Sequence, residues 1–336
     1  MSTHSVNIIE IAEVRPHDNA ERLEIVPVNG WQAVVKKGAF KPGDRAIYIE
    51  PDYTVPTERP EFAFLAKDGK GRHRLKAVRL RGVLSYGLLI PCPQELSLCP
   101  VGEDVMEWFD IERYVPPVKH AGVQTSDAIP EAEWPQLYCP KFDVESYQKW
   151  PDIIEPGERV LVTEKVDGAN ARFVWHNERL YLGSRSQWLK DEGTHIWKRA
   201  LDATPEIRAW CEGHPDVILF GEVYGWVQSL RYGAAQGEVR FAAFAALAKD
   251  EWIAIPMLYD SLRDSGVPVA PIVGAGAFYD FDAEEVKAIA ERDSQLGPPG
   301  HMMEGIVIVP LEERRHQEIG RVALKHISNR FWESEA

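Results

Sequence analysis

The sequence predicts an α+β protein with two domains. The first is a small all-β module, a barrel or sandwich. The second is a mixed domain with largely antiparallel sheets. Three observations carry this. Short apolar runs alternate with turn residues over the first part of the chain. Beyond Lys141, strand-like runs mix with helical periodicity. The length, 336 residues, fits about two domains.

In chain order, Val6–Val14 reads as a strand and residues 15–20 as a turn. Leu23–Val28 and Trp31–Val35 read as strands joined by Asn29-Gly30, a hairpin dipeptide. Lys41-Pro42-Gly43-Asp44 is a turn, and Arg45–Ile49 the next strand. A basic run follows, Lys67, Lys70, Arg72, Arg74, Lys76, Arg79 and Arg81, with Asp68 as its one acid. Residues 115–134 carry Pro116, Pro117, Gly122 and Pro130 and show no period, so they read as a linker with at most a short helix. The domain boundaries expected are 1–120, linker 121–139 and 140–336. In the second domain the strands expected are Val160–Thr163, Arg172–Trp175, Leu180–Gly183, Val217–Gly221, Val239–Leu247 and Ile306–Pro310. Helical periodicity covers His195–Cys211, Met257–Ser265 and Ala283–Glu291.

Composition excludes several classes. No run approaches the roughly 20 apolar residues of a membrane helix, so no membrane partner is expected. The first residues lack a basic and apolar leader, and Cys92, Cys99, Cys139 and Cys211 form no C-x-x-C pair, so reduced cytoplasmic thiols are expected. The net charge of −14 argues against a non-specific nucleic-acid coat. It leaves open a nucleic-acid enzyme whose binding face is locally basic.

Thr163-Glu164-Lys165-Val166-Asp167-Gly168-Ala169-Asn170 places one lysine where a strand ends in a tight turn. A rigid element presents a reactive side chain well from such a place. K-x-D-G alone is a weak signal. No G-x-x-x-x-G-K-[ST] phosphate loop occurs.

Two resemblances sharpen the reading. Residues 14–23 (VRPHDNAERL) and 81–87 (RGVLSYG) resemble the OB-fold module appended to some tRNA synthetases and tRNA-binding proteins. Such folds bind nucleic acid on one sheet face and its loops, which would place Arg72, Arg74, Lys76, Arg79 and Arg81 at a nucleic-acid interface. The second resemblance adds an ordered set to Lys165-Val166-Asp167-Gly168. It comprises residues 182–185 (LGSR), 219–225 (LFGEVYG), 239–244 (VRFAAF), 303–308 (MEGIVI) and 322–325 (VALK). Together these resemble the covalent nucleotidyltransferases: DNA ligases, RNA ligases and mRNA capping enzymes. Their nucleotidyltransferase domain is a mixed, largely antiparallel α+β fold of ATP-grasp-like type.

The resemblance implies that Lys165 accepts AMP from ATP. A free lysine is about three units too basic to attack at neutral pH. A bound metal ion and the cations Lys325, Arg172 and Arg185 are expected to lower its pKa, with Lys325 also steadying charge on the α-phosphate. Asp167, Glu222 and Glu304 are hard oxygen ligands for Mg²⁺ or Mn²⁺, directly or through water. Gly168, Gly221 and Gly305 would let backbone pass near the nucleotide. Glu164 would contact the adenine edge and Phe244 would stack on the base. Asp167 and Glu222 would also reach the ribose, and Arg185 and Asn170 the end of the nucleic-acid strand. Two departures stand out. Relatives carry K-x-K where this chain has a lone Lys325, leaving Arg321 as a possible second cation, and Ala245 stands after Phe244 where an aspartate is common.

The chain continues only to Ala336 after Lys325. With its β module first, this order resembles ATP-dependent RNA ligases that seal nicks, built as N-terminal OB module plus C-terminal adenylyltransferase. The expected partner is an RNA or RNA/DNA duplex carrying a nick, and the expected state a monomer. DNA ligase or capping chemistry on the same scaffold, and a non-catalytic RNA-binding protein, remain the alternatives.

Overall fold

The structure is a computed structural model that describes residues 4–66, 71–115, 122, 127–277 and 283–335. Lys67 and Lys70 of the basic run, and residues 121 and 123–126 of the expected linker, lie outside these residues. The chain divides into two compact units, Thr3–Pro116 with Phe331–Ala336, and Pro117–Arg330 with Met1–Ser2.

The N-terminal unit is built from β1 (Asn7–Glu10), β2 (Arg15–Pro16), β3 (Leu23–Val28), β4 (Trp31–Lys36), β5 (Arg45–Ile49) and β6 (Tyr53–Pro56). It continues with β7 (Arg72–Arg74), β8 (Val78–Leu80), β9 (Val83–Ser85), β10 (Leu88–Pro91) and β11 (Glu112–Arg113). They form small sheets ordered β1-β5-β10, β2-β3-β4 and β11-β6-β7, plus the β8-β9 hairpin. The β3-β4 hairpin closes through Asn29 and Gly30, at φ of 46° and 70°, the two left-handed residues a tight hairpin needs. Strand β5 organises the unit. Its Ile47 and Ile49 enter a core with Ile8, Val55, Phe62 and Phe109, while Ala46 and Tyr48 enter one with Val26, Val28 and Ala33. A strand apolar on both faces needs cover on both, as the small sheets provide. The strand expected over Val6–Val14 ends early, at Glu10, and β2 falls in the stretch expected as a turn.

The second unit holds β12 (Glu145–Ser146), β13 (Arg159–Lys165), β14 (Ala169–His176), β15 (Arg179–Gly183), β16 (Trp188–Leu189), β17 (Val217–Gly225) and β18 (Val239–Ala248). After these come β19 (Glu251–Trp252), β20 (Ile272–Ala277), β21 (Gly305–Pro310), β22 (Arg315–His316), β23 (Gly320–Arg321) and β24 (Leu324–Ile327). One sheet runs β12-β24-β21-β13-β20 and another β16-β15-β14-β17-β18-β19. Pairing is antiparallel except between β12 and β24.

The helical run His195–Cys211 becomes two helices, α1 (Ile196–Ala203) and α2 (Glu206–Gly213). Pro205 sits between them and cannot supply the N–H a continuous helix needs. His195 caps α1 by accepting the Lys198 N–H at 3.1 Å. Both helices, with α3 (Ile255–Asp264), bury Ile196, Trp197, Leu201, Trp210 and Leu258 against Phe173, Leu219 and Phe241 of the six-stranded sheet. The sheet's other face carries Val174, Ile218 and Phe220 and is covered by Ile129, Trp134, Phe142 and Trp252. Helix α4 (Ala283–Ala290) packs Val286 and Ile289 on the five-stranded sheet.

Near the expected boundaries, Ala128 bridges Leu189, and Ile129 N–H donates to the Trp188 carbonyl at 3.1 Å, which ties residues 128–129 to β16. The final helix, α5 (Asn329–Ser334), begins in the second unit, but residues from Phe331 on group with the N-terminal one. Trp332, 8% exposed, stands edge-on to Trp31 at 6.4 Å, and this apolar contact assigns the segment. Among the described residues no helix is long and apolar enough to cross a membrane, and all four cysteines are free.

Candidate active site

Lys165 ends β13, paired with Gly305 of β21. After three intervening residues the chain enters β14 at Ala169, which belongs to the other sheet. The expected turn is therefore a bridge between sheets. Gly168, in that bridge, has no room for a side chain: a Cβ would stand 2.2 Å from the Val223 carbonyl oxygen and 2.9 Å from Glu222 Cγ. A Cβ on Gly305 would stand 2.1 Å from the His326 carbonyl oxygen, and one on Gly221 2.3 Å from the Phe241 ring. These three glycines were expected to admit the nucleotide. Their surroundings give another reason: they let the strands carrying Lys165, Glu222 and Lys325 pack closely.

The Lys165 amine donates to Glu304 Oε1 at 2.5 Å. Burial pulls its pKa down, but Glu304, Glu222 and Asp167 outweigh burial and hold the ammonium above its ordinary value. The expected depression comes from cations together with a bound metal ion, which would have to outweigh these carboxylates. Burial pushes Glu222 up to about 8 against the pull of Lys165. It pushes Glu304 up to about 7 against Lys165 and, more weakly, Lys325.

Lys325 lies in register with Val307, which is in register with Thr163, two residues before Lys165. Paired residues on adjacent strands share a face, so both lysines project from the same face of the five-stranded sheet.

Glu304 Oε2 is buried without a hydrogen-bond partner. Together with the raised carboxylates, this donor set fits a divalent cation. Among the described residues, no three His, Cys, Asp or Glu side chains are placed to grip one ion directly. The fit is thus to an ion that keeps much of its water, as Mg²⁺ does.

Beside these groups, one face of the six-stranded sheet carries a row of polar residues. Asn170 pairs with Glu222, and Arg172 with Phe220, while the alternate residues Ala171 and Phe173 point into the core. Arg172 is 4% exposed, lies over the Trp188 ring at 4.2 Å and donates to Cys139 Sγ at 3.1 Å. Its Nε and Nη2 have no partner, nor have Asn170 Oδ1 and Arg185 Nε. Buried polar atoms without partners are costly, and a cluster of them marks a surface shaped for a polar ligand. Arg185 donates to Asp143 at 2.6 Å, and its charge also acts on Glu222. Phe244 is half-buried and tilts against Phe142 with centroids 4.6 Å apart.

Other expected residues are placed differently. Glu164 is 1% exposed and alternates with Lys165 along β13. Its oxygens accept from Ser294 Oγ at 2.5 Å and Gln295 N–H at 2.9 Å, so the carboxylate anchors the segment leading to His301. Arg321 is not available as a second phosphate cation. It makes a two-bond pair with Glu313, at 2.5 and 2.9 Å, and stacks over Trp252.

In the N-terminal unit most of the basic run is internally paired. Arg72 bonds Asp110 at 2.8 Å. Arg74 bonds Asp52 at 2.6 Å and stacks on Tyr114. Lys76 donates to the Glu335 carbonyl, and Arg79 pairs with Glu333. Among the described residues Arg81 makes no ion pair; it has φ of 50° beside Gly82 in the β8-β9 turn. Tyr232 and Leu230, both bonded to Asp167, escaped the sequence reading, since neither falls in a motif.

Comparison with known proteins agrees with this geometry. The family model described as RNA ligase matches residues 158–327, and an OB-fold domain model matches residues 5–92. Among solved structures, a Naegleria gruberi RNA ligase mutant with ATP and Mn is similar over 98% of this chain and 99% of that one, with 25% identity and a TM-score of 0.83. The Naegleria gruberi RNA ligase with PPi is similar over 98% of both chains, with 26% identity and a TM-score of 0.82. Another mutant of that ligase, with AMP and Mn, has 26% identity and a TM-score of 0.83. No curated protein sequence matches the chain. The matched RNA ligase model spans half of the chain, with Lys165, Glu222, Glu304 and Lys325 inside it, and the chain belongs to the RNA ligase family.

Proposed function

We propose that this RNA ligase uses ATP to seal a 3′-hydroxyl/5′-phosphate nick in duplex RNA or an RNA/DNA duplex, in RNA repair, with Lys165 as the AMP acceptor. The observation that carries the reading is the Lys165–Glu304 contact beside Glu222 and Asp167, next to the partnerless buried atoms of Asn170, Arg172 and Arg185.

The amine of Lys165 attacks the α-phosphorus of ATP. A P–N bond forms, the bond to pyrophosphate breaks, and lysyl-AMP results. An oxygen of the 5′-phosphate then displaces lysine, giving an adenylylated 5′ end. The 3′-hydroxyl attacks that 5′-phosphorus, the phosphodiester forms and AMP leaves. Glu304, already bonded to the ammonium, is placed to receive the proton that Lys165 must lose. A divalent ion held through water by Asp167, Glu222 and Glu304 would offset the charge that keeps that proton on, and neutralise the phosphates. Lys325 offers a second cation from the same sheet face. Arg172 and Arg185 present N–H groups for phosphate or ribose oxygens, and Phe244 a ring for the base. Arg81 offers the N-terminal unit an uncompensated charge for duplex backbone.

The test uses α-labelled ATP with Mg²⁺ or Mn²⁺, then a nick whose 3′ side is RNA or DNA. Acid-labile label that disappears in Lys165→Ala, and preferential sealing of the RNA 3′ end, are expected. Equal label on Lys165→Ala refutes the covalent step, and equal sealing of an all-DNA nick refutes the RNA preference. Label from GTP in place of ATP would point to capping chemistry.

A further inference from the structure

Tyr232 lies in the segment between β17 and β18. From Gly225 (φ 96°) at the end of β17, the chain turns through left-handed backbone again at Tyr232 (52°), Gly233 (72°) and Gly237 (82°). Glycine adopts this conformation at no steric cost, whereas a bulky aromatic residue there is strained and held by its surroundings. The surroundings are specific. The Tyr232 ring is 1% exposed, stacks on His301 at 5.2 Å and 25°, and meets Tyr224 edge-on at 5.3 Å. Arg240 donates to the Tyr232 carbonyl at 3.2 Å.

The phenolic oxygen, fixed by these contacts, accepts the Asp167 N–H at 2.7 Å. Leu230 N–H, from the same segment, donates to Asp167 Oδ2 at 2.8 Å. One short stretch thus grips both the backbone and the carboxylate of Asp167, in the bridge that follows Lys165. An ordinary core aromatic needs only its ring. Phenylalanine would fill the same volume, and neither the hydroxyl nor the left-handed backbone would be required. Both are required if the location of that oxygen matters.

We infer that Tyr232 is a positioning residue for nucleotidyl transfer: its hydroxyl fixes the Val166–Gly168 bridge and thereby aims the Asp167 carboxylate beside Lys165. This rests on the reading of Lys165 as the AMP acceptor.

The test compares wild type, Lys165→Ala, Tyr232→Phe, Asp167→Asn and the Tyr232→Phe/Asp167→Asn double variant, each well below its melting temperature. Single-turnover labelling from α-labelled ATP gives the rate at saturating nucleotide. Amide hydrogen exchange without nucleotide or metal reports the bridge directly. In Tyr232→Phe we expect the saturating rate to fall about tenfold, with the half-saturating ATP concentration within twofold. Exchange in the peptide covering 165–169 should accelerate while that covering 217–225 keeps its protection. In the Asp167→Asn background the added substitution should change the rate less than twofold, since the tyrosine acts through that carboxylate.

Absence of label in wild type, or equal label on Lys165→Ala, overturns the Lys165 reading and this inference with it. With that control passed, any of three results overturns the role of Tyr232 alone. These are a Tyr232→Phe rate within twofold of wild type, unchanged exchange at 165–169, or the same fold-loss with Asp167→Asn as without it. Were Asp167→Asn too slow to follow, the exchange and the rate split would decide.

Discussion

Substituting Gly168 by alanine tests whether close packing of the bridge governs catalysis. The added Cβ would lie 2.2 Å from the Val223 carbonyl oxygen, 2.9 Å from Glu222 Cγ and 3.0 Å from the Val223 carbonyl carbon. A relaxed carbon-to-oxygen contact is about 3.3 Å, so β14 and β17 must part by about 1 Å, or the bridge must shift by that much. Overpacking of this kind costs about 1–3 kcal/mol of stability. A 1 Å displacement at reacting groups costs about 100-fold in rate, and Lys165 and Glu222 flank the contact. The control is Gly213→Ala at the end of α2, where a Cβ meets nothing within 4 Å. There alanine should stabilise by up to about 1 kcal/mol and leave activity alone. The assays are urea unfolding and single-turnover labelling from α-labelled ATP. Gly168→Ala with wild-type stability and a labelling rate within threefold of wild type would refute the packing argument.

Three further outcomes are expected. His326 is buried against Tyr147, and burial, reinforced by Lys287, lowers its pKa to about 4. Its folded pKa is depressed, so its contribution is complete above the unfolded value near 6.5 and fades as pH falls toward 4, by at most about 3 kcal/mol. His326→Leu should flatten that acid limb in urea unfolding across pH, and an unchanged limb would contradict the assignment. Arg81→Ala should weaken nicked-duplex binding more than Arg79→Ala and reduce the salt slope by about one, because Glu333 already offsets Arg79; equal losses in a salt titration would argue against this. Phe244→Ala should raise the half-saturating ATP concentration by about tenfold, consistent with a lost stacking contact of about 1–3 kcal/mol, and unchanged saturation would remove Phe244 from the base pocket.

Much of the site was legible because its chemistry is local in sequence. Lys165, Asp167 and Asn170 sit in one short run, and β composition on both sides located the two strands, β13 and β14, though not their ends, which lie two and three residues nearer the turn than expected. The same local pattern could not reveal that these two strands belong to different sheets, because a hairpin and a crossover both read as strand, turn, strand. Long-range partners were equally invisible. Arg79 and Glu333 are paired although 254 positions apart in sequence, so a run that reads as open positive charge is largely compensated. The contact that holds the Lys165 proton was equally hidden, because the motifs name cations and a metal ion but do not show Glu304 at 2.5 Å from the amine. Tyr232 carries no motif at all. Its backbone angle and its bond to Asp167 exist only once β17 and β18 are folded together.

The grouping of Phe331–Glu335 with residues 3–116 has a consequence for synthesis. The N-terminal unit is complete in sequence at Pro116 except for a piece that follows about 220 residues later. At about 5–20 residues per second the ribosome needs roughly 10–40 s to deliver it. Through that interval Trp31 and Tyr86 wait without the indole of Trp332 beside them. The nascent chain thus carries an uncapped aromatic pair while the ligase unit emerges, and the last helix closes the first unit only after the second has been made.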